Sequence, residues 1–136
     1  MRINGKEIET MGDQQTEKIL YIGTAAAENS EKAAMPFVMA TAALALDIQA
    51  IICLQGNGVY LAHKGYVEKM PPSGGFPPMK KLLDDFLELG GKLWVCVPCI
   101  KERNIDEESE LVAGAQTTAA GAVNIEATEA KAVFVY

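Results

Sequence analysis

The sequence predicts an α/β fold of three layers, in which a mostly parallel sheet carries helices on both faces. Short apolar runs of strand length alternate along the chain with longer helical segments, and this alternation is typical of parallel βαβ units. The chain has 136 residues, of which 49% are hydrophobic and 22% charged, and this indicates one globular domain, residues 18–136. The predicted strands are residues 18–24, 48–54, 93–95 and 131–136.

The amino-terminal part of the chain predicts an arm and, after the first strand, a buried helix. Residues 1–17 are polar without a sustained period, and we interpret them as a flexible arm. The helix, residues 31–46, follows Asn29 and Ser30, either of which is a good capping residue. It is apolar on nearly all sides, so we expect the sheet and another subunit to bury it. Pro36 predicts either a later start or a kinked first turn.

The second predicted strand carries Cys53 and leads into a loop that contains glycine. Cys53 lies within an apolar run and is interpreted as a packing residue. Gly56 and Gly58 follow the strand directly, which predicts a loop whose backbone closely approaches another group. The segment up to residue 69 is expected to form a short helix that carries Tyr60, His63 and Lys64.

The carboxy-terminal half predicts further helices and an acidic turn. Residues 70–78 are rich in proline and glycine and indicate an irregular loop. An amphipathic helix at residues 79–89 ends at a glycine pair. Residues 106–114 indicate an acidic turn and a short helix capped by Asp106, and residues 115–130 indicate a helix of small residues. The apolar face of the 79–89 helix consists of Leu82, Leu83, Phe86 and Leu89.

Two cysteines with the spacing C-x-x-C follow the third predicted strand, and two cations follow the cysteines. A thiol reacts as its thiolate, which helix N-terminal amides and nearby cations stabilise. Cys96 and Cys99 share a short segment with Lys101 and Arg103 at the carboxyl end of a strand, where open α/β sheets place their sites. The sequence therefore predicts a reactive thiol here. The alternative is that both cysteines are small buried hydrophobic residues.

Charge, hydropathy and motifs argue against several classes of protein. A net charge of -6 with scattered lysines and arginines disfavours nucleic-acid binding. No signal peptide is apparent and no apolar run approaches a membrane span, so the cytoplasm is the expected compartment. Three cysteines, an odd number, disfavour a disulfide framework. One C-x-x-C pair and a single histidine, His63, fall short of the four ligands of structural zinc unless subunits share the site, so no metal is expected.

Three segments carry a resemblance to a known family. They are AMPFVMATAALAL (residues 34–46), GNGVYLA (residues 56–62) and VCVPCIKERNI (residues 95–105). In this order, and together with the last strand, they resemble the DsrE/DsrF-like family of small intracellular sulfur-handling proteins. Asn104 departs from the family, which commonly has glycine at this position. Asparagine tolerates the left-handed conformation better than most residues, so we expect the turn to persist.

The resemblance implies a sheet of five parallel strands, homo-oligomers that are often trimers or hexamers, and no bound cofactor. In sulfur-relay members of the family, the cysteine at the position of Cys96 accepts sulfur as a persulfide and passes it on. By this resemblance we expect Cys96 to carry sulfur and a sulfur donor or acceptor protein to be the partner. Only the role of Cys96 comes from the family. In the sulfur-carrier hypothesis, Lys101 and Arg103 lower the pKa of Cys96 and Cys99 resolves the persulfide, with Asn104 in a supporting position.

Two alternatives to a sulfur carrier remain open. Dithiol redox proteins of the thioredoxin type also place C-x-x-C after a strand, although the sequence that flanks such sites is absent here. The other alternative is a non-catalytic oligomeric protein that binds a small ligand. The expected pocket lies beside the cysteine turn and is lined by Gly56, Asn57, Gly58, Tyr60 and His63.

Overall fold

The computed structural model describes residues 16–136, and a sheet of five parallel strands forms its centre. The strands are β1 (Lys18–Gly23), β2 (Gln49–Leu54), β3 (Lys92–Cys96), β4 (Ala115–Thr118) and β5 (Ala132–Val135). They lie in the order β4-β3-β2-β1-β5, and every neighbouring pair is parallel. The expected α/β fold is therefore confirmed. Residues 1–15 of the predicted arm lie outside the described residues.

One face of the sheet is covered by two long helices. Within residues 16–136 the α-helices are α1 (Ser30–Ala45), α2 (Met79–Glu88), α3 (Val97–Glu102) and α4 (Ala120–Glu129). α1 and α2 pack together on the first face, where the rings of Phe37 and Phe86 meet edge to face with centroids 5.6 Å apart. Both side chains are fully buried, and an aromatic pair of this geometry contributes about 0.5–1.5 kcal/mol beyond the burial itself.

The opposite face of the sheet is covered by α4. Leu20, Ile51 and Cys53 are buried on this face, and Val123 and Ala127 of α4 pack against them. Helices therefore lie on both faces, as predicted. α4 covers this face only partly, because none of its residues is buried.

α1 begins at Ser30 and continues through Pro36. The side chain of Asn29 caps the helix by accepting a hydrogen bond from the backbone N–H of Lys32 at 3.1 Å, so the predicted cap is confirmed. The later start that Pro36 suggested is wrong. The proline ring is buried beside Gly23, where an added Cβ would lie 3.3 Å from Cγ of Pro36. Glycine at the end of β1 leaves room for this ring.

The predicted helix at residues 115–130 is wrong over its first part. Residues 115–118 form β4, and α4 starts only at Ala120. β4 is an edge strand with an exposed Gln-Thr sequence. It therefore lacks the apolar run that identifies the other strands in the sequence. Its β-branched residues, Thr117 and Thr118, are the remaining signal that favours a strand.

The short helix predicted within residues 106–114 is also wrong, because these residues form turns. Asp106 still acts as a cap for the turn. Its Oδ2 atom accepts hydrogen bonds from the backbone N–H of Ser109 at 2.9 Å and from the Ser109 hydroxyl at 2.6 Å. These bonds stabilise a turn without a following helix.

Two further predictions about helices need correction. The helix expected up to residue 69 is replaced by the 3-10 segments Gly56–Ala62 and Val67–Lys69, between which Gly65 adopts a φ of 84° that an α-helix does not allow. α2 ends at Glu88, and Leu89 is 52% exposed, so Leu89 does not belong to its buried face.

Candidate functional site

Cys96 ends β3 and Cys99 lies in the first turn of α3, so both cysteines lie at the carboxyl edge of the sheet. A short helix takes the place of the predicted turn, and Pro98 occupies one of its first positions, where a missing amide hydrogen is tolerated. The i, i+3 spacing brings the two side chains together. Their Sγ atoms are 2.9 Å apart, and both cysteines are free. The pair is a reduced dithiol whose sulfur atoms are in direct contact.

The loop after β2 supplies a hydrogen-bond donor to this dithiol. The backbone N–H of Gly56 donates to Sγ of Cys99 at 3.2 Å. Gly56 has a φ of 55°, in the left-handed region that favours glycine. Gly58 allows the loop to pack against the end of β1, because the Cβ of any other residue at this position would overlap the carbonyl oxygen of Gly23. The predicted close approach of the backbone is therefore found.

Arg103 joins the loop to the helix that carries Cys99. Its Nε and Nη2 atoms donate to Oδ1 of Asn57 at 3.2 and 2.9 Å, and its Nη1 atom donates to the carbonyl oxygen of Cys99 at 3.0 Å. The guanidinium also lies over the ring of Tyr60, 5.7 Å from the centroid. Arg103 therefore holds the backbone around the dithiol in place. All three of these hydrogen bonds are accepted by oxygen atoms, and none by the sulfur of a cysteine.

The pKa of the Cys96 thiol is raised, which is the opposite of the predicted direction. Burial of the thiol is the largest cause, and its hydrogen bond with Cys99 is the second. The backbone amide of Cys99 and the charge of Arg103 lower the pKa but do not outweigh these effects. Lys101 is exposed on α3 and is not among the groups that shift this pKa. The neighbouring cations therefore do not produce a thiolate at neutral pH by themselves.

Asn104 ends α3 in the left-handed conformation that the sequence predicts. Its φ is 55°. Its backbone N–H donates to the carbonyl oxygen of Lys101 at 3.1 Å, and the N–H of Ile105 donates to that of Ile100 at 2.9 Å. This pair of bonds is a Schellman motif, and the buried side chains of Ile100 and Ile105 accompany it. The turn survives the replacement of glycine by asparagine.

A model of the DsrE/DsrF-like family matches residues 17–136. The chain belongs to this family. The crystal structure of the YchN protein from E. coli superposes on this DsrE/DsrF-like chain with a TM-score of 0.73 at 16% identity, covering 88% of this chain and 99% of YchN. The likeness to YchN shows a shared fold.

Two relatives in Methanocaldococcus jannaschii are described as uncharacterised proteins. MJ0760 is 32% identical to the DsrE/DsrF-like chain in an alignment of 117 residues that covers 82% of this chain and 42% of MJ0760. MJ0989 is 37% identical over 99 residues, which are 73% of this chain and 82% of MJ0989. The chain therefore spans less than half the length of the first relative and most of the second.

The residues expected to line one pocket in the DsrE/DsrF-like chain lie in two places. Gly56, Asn57 and Tyr60 lie beside the dithiol and Arg103. His63 instead lines a cleft that neither Cys96 nor Cys99 lines, and its Nε2 atom is 3.9 Å from Oε2 of Glu110.

Sequence reasoning missed Tyr66, which joins these two places. Its ring stacks on that of Tyr60 with centroids 5.3 Å apart, and its hydroxyl accepts the backbone N–H of Ala27 at 3.0 Å. A six-residue separation places two side chains on different faces of an α-helix and about 20 Å apart along a strand, so no regular pattern indicates the contact of the two tyrosines.

The third cysteine of the DsrE/DsrF-like chain is part of the core, as predicted. Cys53 is fully buried, and burial raises the pKa of its thiol to about 11. Among the described residues, no group of three or more histidine, cysteine, aspartate and glutamate side chains is arranged to hold a metal ion. Likewise, none of the helices within residues 16–136 is long and apolar enough to cross a membrane.

Proposed function

We propose that this protein is a cysteine-dependent sulfur carrier in which Cys96 accepts sulfur as a persulfide. The observation that carries the proposal is the 2.9 Å contact between the Sγ atoms of Cys96 and Cys99 at the open edge of a DsrE/DsrF-like sheet. A dithiol in this position supports both the loading and the release of a sulfur atom. A sulfur donor or acceptor protein is the partner that such a function requires.

Loading is a transfer of sulfane sulfur from a persulfide donor. Sγ of Cys96 attacks the outer sulfur of the donor, the S–S bond of the donor breaks, and the donor leaves as a thiol that takes up the proton of Cys96. No net oxidation is needed, because one S–S bond replaces another. The raised pKa of Cys96 makes this transfer of the proton a necessary part of the step.

Release uses the neighbouring thiol. Sγ of Cys99 attacks Sγ of Cys96, a disulfide forms between the two cysteines, and the outer sulfur leaves as hydrosulfide with the electron pair of the broken bond. The 2.9 Å contact places the attacking atom beside its target. An external thiol then reduces the disulfide and returns the dithiol. Alternatively, an acceptor thiol attacks the outer sulfur directly and leaves Cys96 reduced.

The loop after β2 supports the attacking group. The N–H of Gly56 donates to Sγ of Cys99 at 3.2 Å and so holds the attacking sulfur in position. Arg103 and Asn57 keep this amide in place through their hydrogen bonds. Gly56, Asn57 and Arg103 therefore affect the release of sulfur, because they fix the position of Cys99.

A dithiol redox protein is the second candidate, and the same 2.9 Å contact favours it. In that function the two thiols of Cys96 and Cys99 exchange with the disulfide of a partner and become oxidised while the partner is reduced. Sulfur loading is then absent, and the cycle needs only a disulfide oxidant and a thiol reductant. Equilibration with glutathione redox buffers measures how readily the pair oxidises.

Hydrosulfide release distinguishes the two functions. Reduced protein is loaded with inorganic polysulfide, freed of excess donor, and followed for hydrosulfide and for disulfide. A sulfur carrier releases one hydrosulfide for each Cys96–Cys99 disulfide that forms, and Cys99→Ser retains its persulfide. A Cys99→Ser protein that holds no persulfide after the same treatment, together with ready oxidation of the wild-type pair by oxidised glutathione, would instead favour the redox function.

A further inference from the structure

A cleft of about 260 Å³ opens beside Tyr66, and neither cysteine of the dithiol lines it. One part of its lining is cationic and comes from the segment after the Gly56–Ala62 loop. The other part is apolar or aromatic. The cationic residues are Lys64 and Lys69, beside which lies the imidazole of His63, and the apolar wall consists of Ala27, Tyr66 and Met70.

The side chains of Lys64, Lys69 and His63 retain hydrogen-bonding capacity. Lys64 donates from Nζ to the carbonyl oxygen of Ser109 at 3.0 Å, which leaves two of its three N–H groups. Nε2 of His63 lies 3.9 Å from Oε2 of Glu110, which is beyond hydrogen-bond distance. Lys69 is exposed, and its side chain forms no ion pair within residues 16–136. An anion that enters the cleft therefore meets donors that are not saturated.

The apolar wall of the cleft is held in place. The Tyr66 hydroxyl accepts the backbone N–H of Ala27 at 3.0 Å, and its ring stacks on Tyr60 at an interplanar angle of 15°. An aromatic face that is fixed on one side by stacking presents its other side to a ligand at little cost in conformational entropy. Met70 adds a flexible apolar contact at the edge of the same cleft.

We propose that this cleft binds a small organic anion, in which a phosphate or carboxylate group is attached to an apolar or aromatic group. The net charge of -6 means that the protein as a whole repels anions, so the two lysines of the cleft supply the attraction locally. Clefts for drug-sized ligands have volumes of about 300–1,000 Å³, so the ligand here is smaller. The inference does not depend on sulfur transfer at Cys96.

Titration with phenyl phosphate, followed by the backbone amide signals in NMR spectra, tests this site. Phenyl phosphate is expected to shift the amides of Gly65 and Tyr66 saturably. The double variant Lys64→Gln/Lys69→Gln is expected to bind at least about tenfold more weakly, which is 1.4 kcal/mol. Lys69→Gln alone leaves the bond from Lys64 to Ser109 intact and is expected to give an intermediate loss.

Matched controls separate this site from general charge and from the dithiol. Lys80→Gln/Lys81→Gln removes two lysines that pair with Asp84 and Asp85 on α2, and it is expected to bind phenyl phosphate as the wild type does. Cys96→Ser is expected to bind equally well.

Three results would overturn the proposal. They are the absence of saturable shifts at Gly65 and Tyr66, undiminished binding in the Lys64→Gln/Lys69→Gln protein, and equal affinity for the neutral analogue benzyl alcohol. Inorganic phosphate that binds as tightly as phenyl phosphate would overturn the role of the apolar wall. Benzoate, in place of phenyl phosphate, tells whether a carboxylate suffices.

Discussion

The side-chain oxygen of Asn57 accepts two hydrogen bonds from the guanidinium of Arg103, from Nε at 3.2 Å and from Nη2 at 2.9 Å. Asn57 follows Gly56 in the loop, and Arg103 is the C-cap residue directly after the helix that contains Cys99. The contact therefore fixes the Gly56 amide relative to the sulfur of Cys99. Arg103 is a positioning residue for the dithiol, in addition to the lowering of the Cys96 pKa by its charge that the sequence suggested.

Replacement of Arg103 by methionine is expected to lower the free energy of unfolding by about 1–3 kcal/mol, because Asn57 and the carbonyl oxygen of Cys99 lose a charged donor. Urea denaturation measures this change. The same variant is expected to move the alkylation of Cys96 to higher pH, because the positive charge of Arg103 lowers the pKa of that thiol. Tandem mass spectrometry of the tryptic peptide 93–101 resolves Cys96 from Cys99.

Lys101→Met is the matched control for Arg103→Met. Lys101 is exposed on the same helix, so its replacement is expected to change the free energy of unfolding by less than about 0.5 kcal/mol. If Lys101→Met destabilises the protein as much as Arg103→Met does, the hydrogen bonds of Arg103 do not have the role assigned to them.

The three thiols are expected to differ in their rates of alkylation, with Cys96 or Cys99 labelled well before Cys53. Cys53 is fully buried and its pKa is raised from 9.0 to about 11, which lowers its thiolate population at neutral pH by about a hundredfold. A time course with iodoacetamide, read by peptide mass spectrometry, measures the order. Fastest labelling of Cys53 in native protein would contradict its position in the core.

The same pKa shift of Cys53 fixes how its contribution to stability depends on pH. The unfolded thiol loses its proton near 9.0 and the folded thiol near 11, so stability from this group is complete below pH 9.0 and is lost as pH rises toward 11. Cys53→Ala removes the ionisable group and is expected to flatten the decline of unfolding free energy in this window. An unchanged decline in Cys53→Ala would contradict the shift.

Asn104 is expected to tolerate glycine better than alanine. The φ of 55° places Asn104 in the left-handed region, where a Cβ without a local polar group costs about 1–2 kcal/mol. Asn104→Ala is therefore expected to destabilise the protein by about 1 kcal/mol in urea denaturation, while Asn104→Gly stays near the wild type. Equal stability of the alanine and wild-type proteins would show that this turn does not constrain the chain.

We propose that the protein forms a homo-oligomer, a trimer or a hexamer as the family resemblance implies, and that β5 contributes to the contact. β5 is an edge strand, and Val133 and Val135 are 41% and 67% exposed. Light scattering at micromolar concentration is expected to give a multiple of 14.6 kDa. Val135→Lys is expected to lower this mass, and Leu89→Lys, at another exposed apolar residue, is not. A stable species of 14.6 kDa would contradict the proposal.

The sequence predicts the fold as far as each element has a hydrophobic pattern. β1, β2, β3 and β5 are apolar runs and are visible for that reason. β4 is missed because its exposed Gln-Thr sequence is indistinguishable from a polar helix or a loop. The small residues that follow it favour a helix, and that helix does form as α4.

The candidate site is predictable in its residues but not in its contacts. The C-x-x-C spacing and the strand before it identify Cys96 and Cys99, and the tolerance of asparagine for positive φ predicts the turn at Asn104. The contact of Arg103 with Asn57 joins residues 46 positions apart, and only the packing of the loop on α3 determines it. The raised pKa of Cys96 likewise follows from burial, which a list of neighbouring cations does not reveal.

Loading of sulfur onto Cys96 is the most direct test of the central claim. Reduced wild-type protein and the variants Cys96→Ser, Cys99→Ser and Cys53→Ser are incubated with inorganic polysulfide, and the mass of each intact chain and of peptide 93–101 is measured. We expect one retained sulfur atom on Cys96 in the Cys99→Ser protein and none in Cys96→Ser. The wild-type and Cys53→Ser proteins are expected to take up sulfur and then to release it as hydrosulfide, with formation of the Cys96–Cys99 disulfide. Sulfur uptake by Cys96→Ser but not by Cys99→Ser, or no uptake by any of the four proteins, would contradict the account.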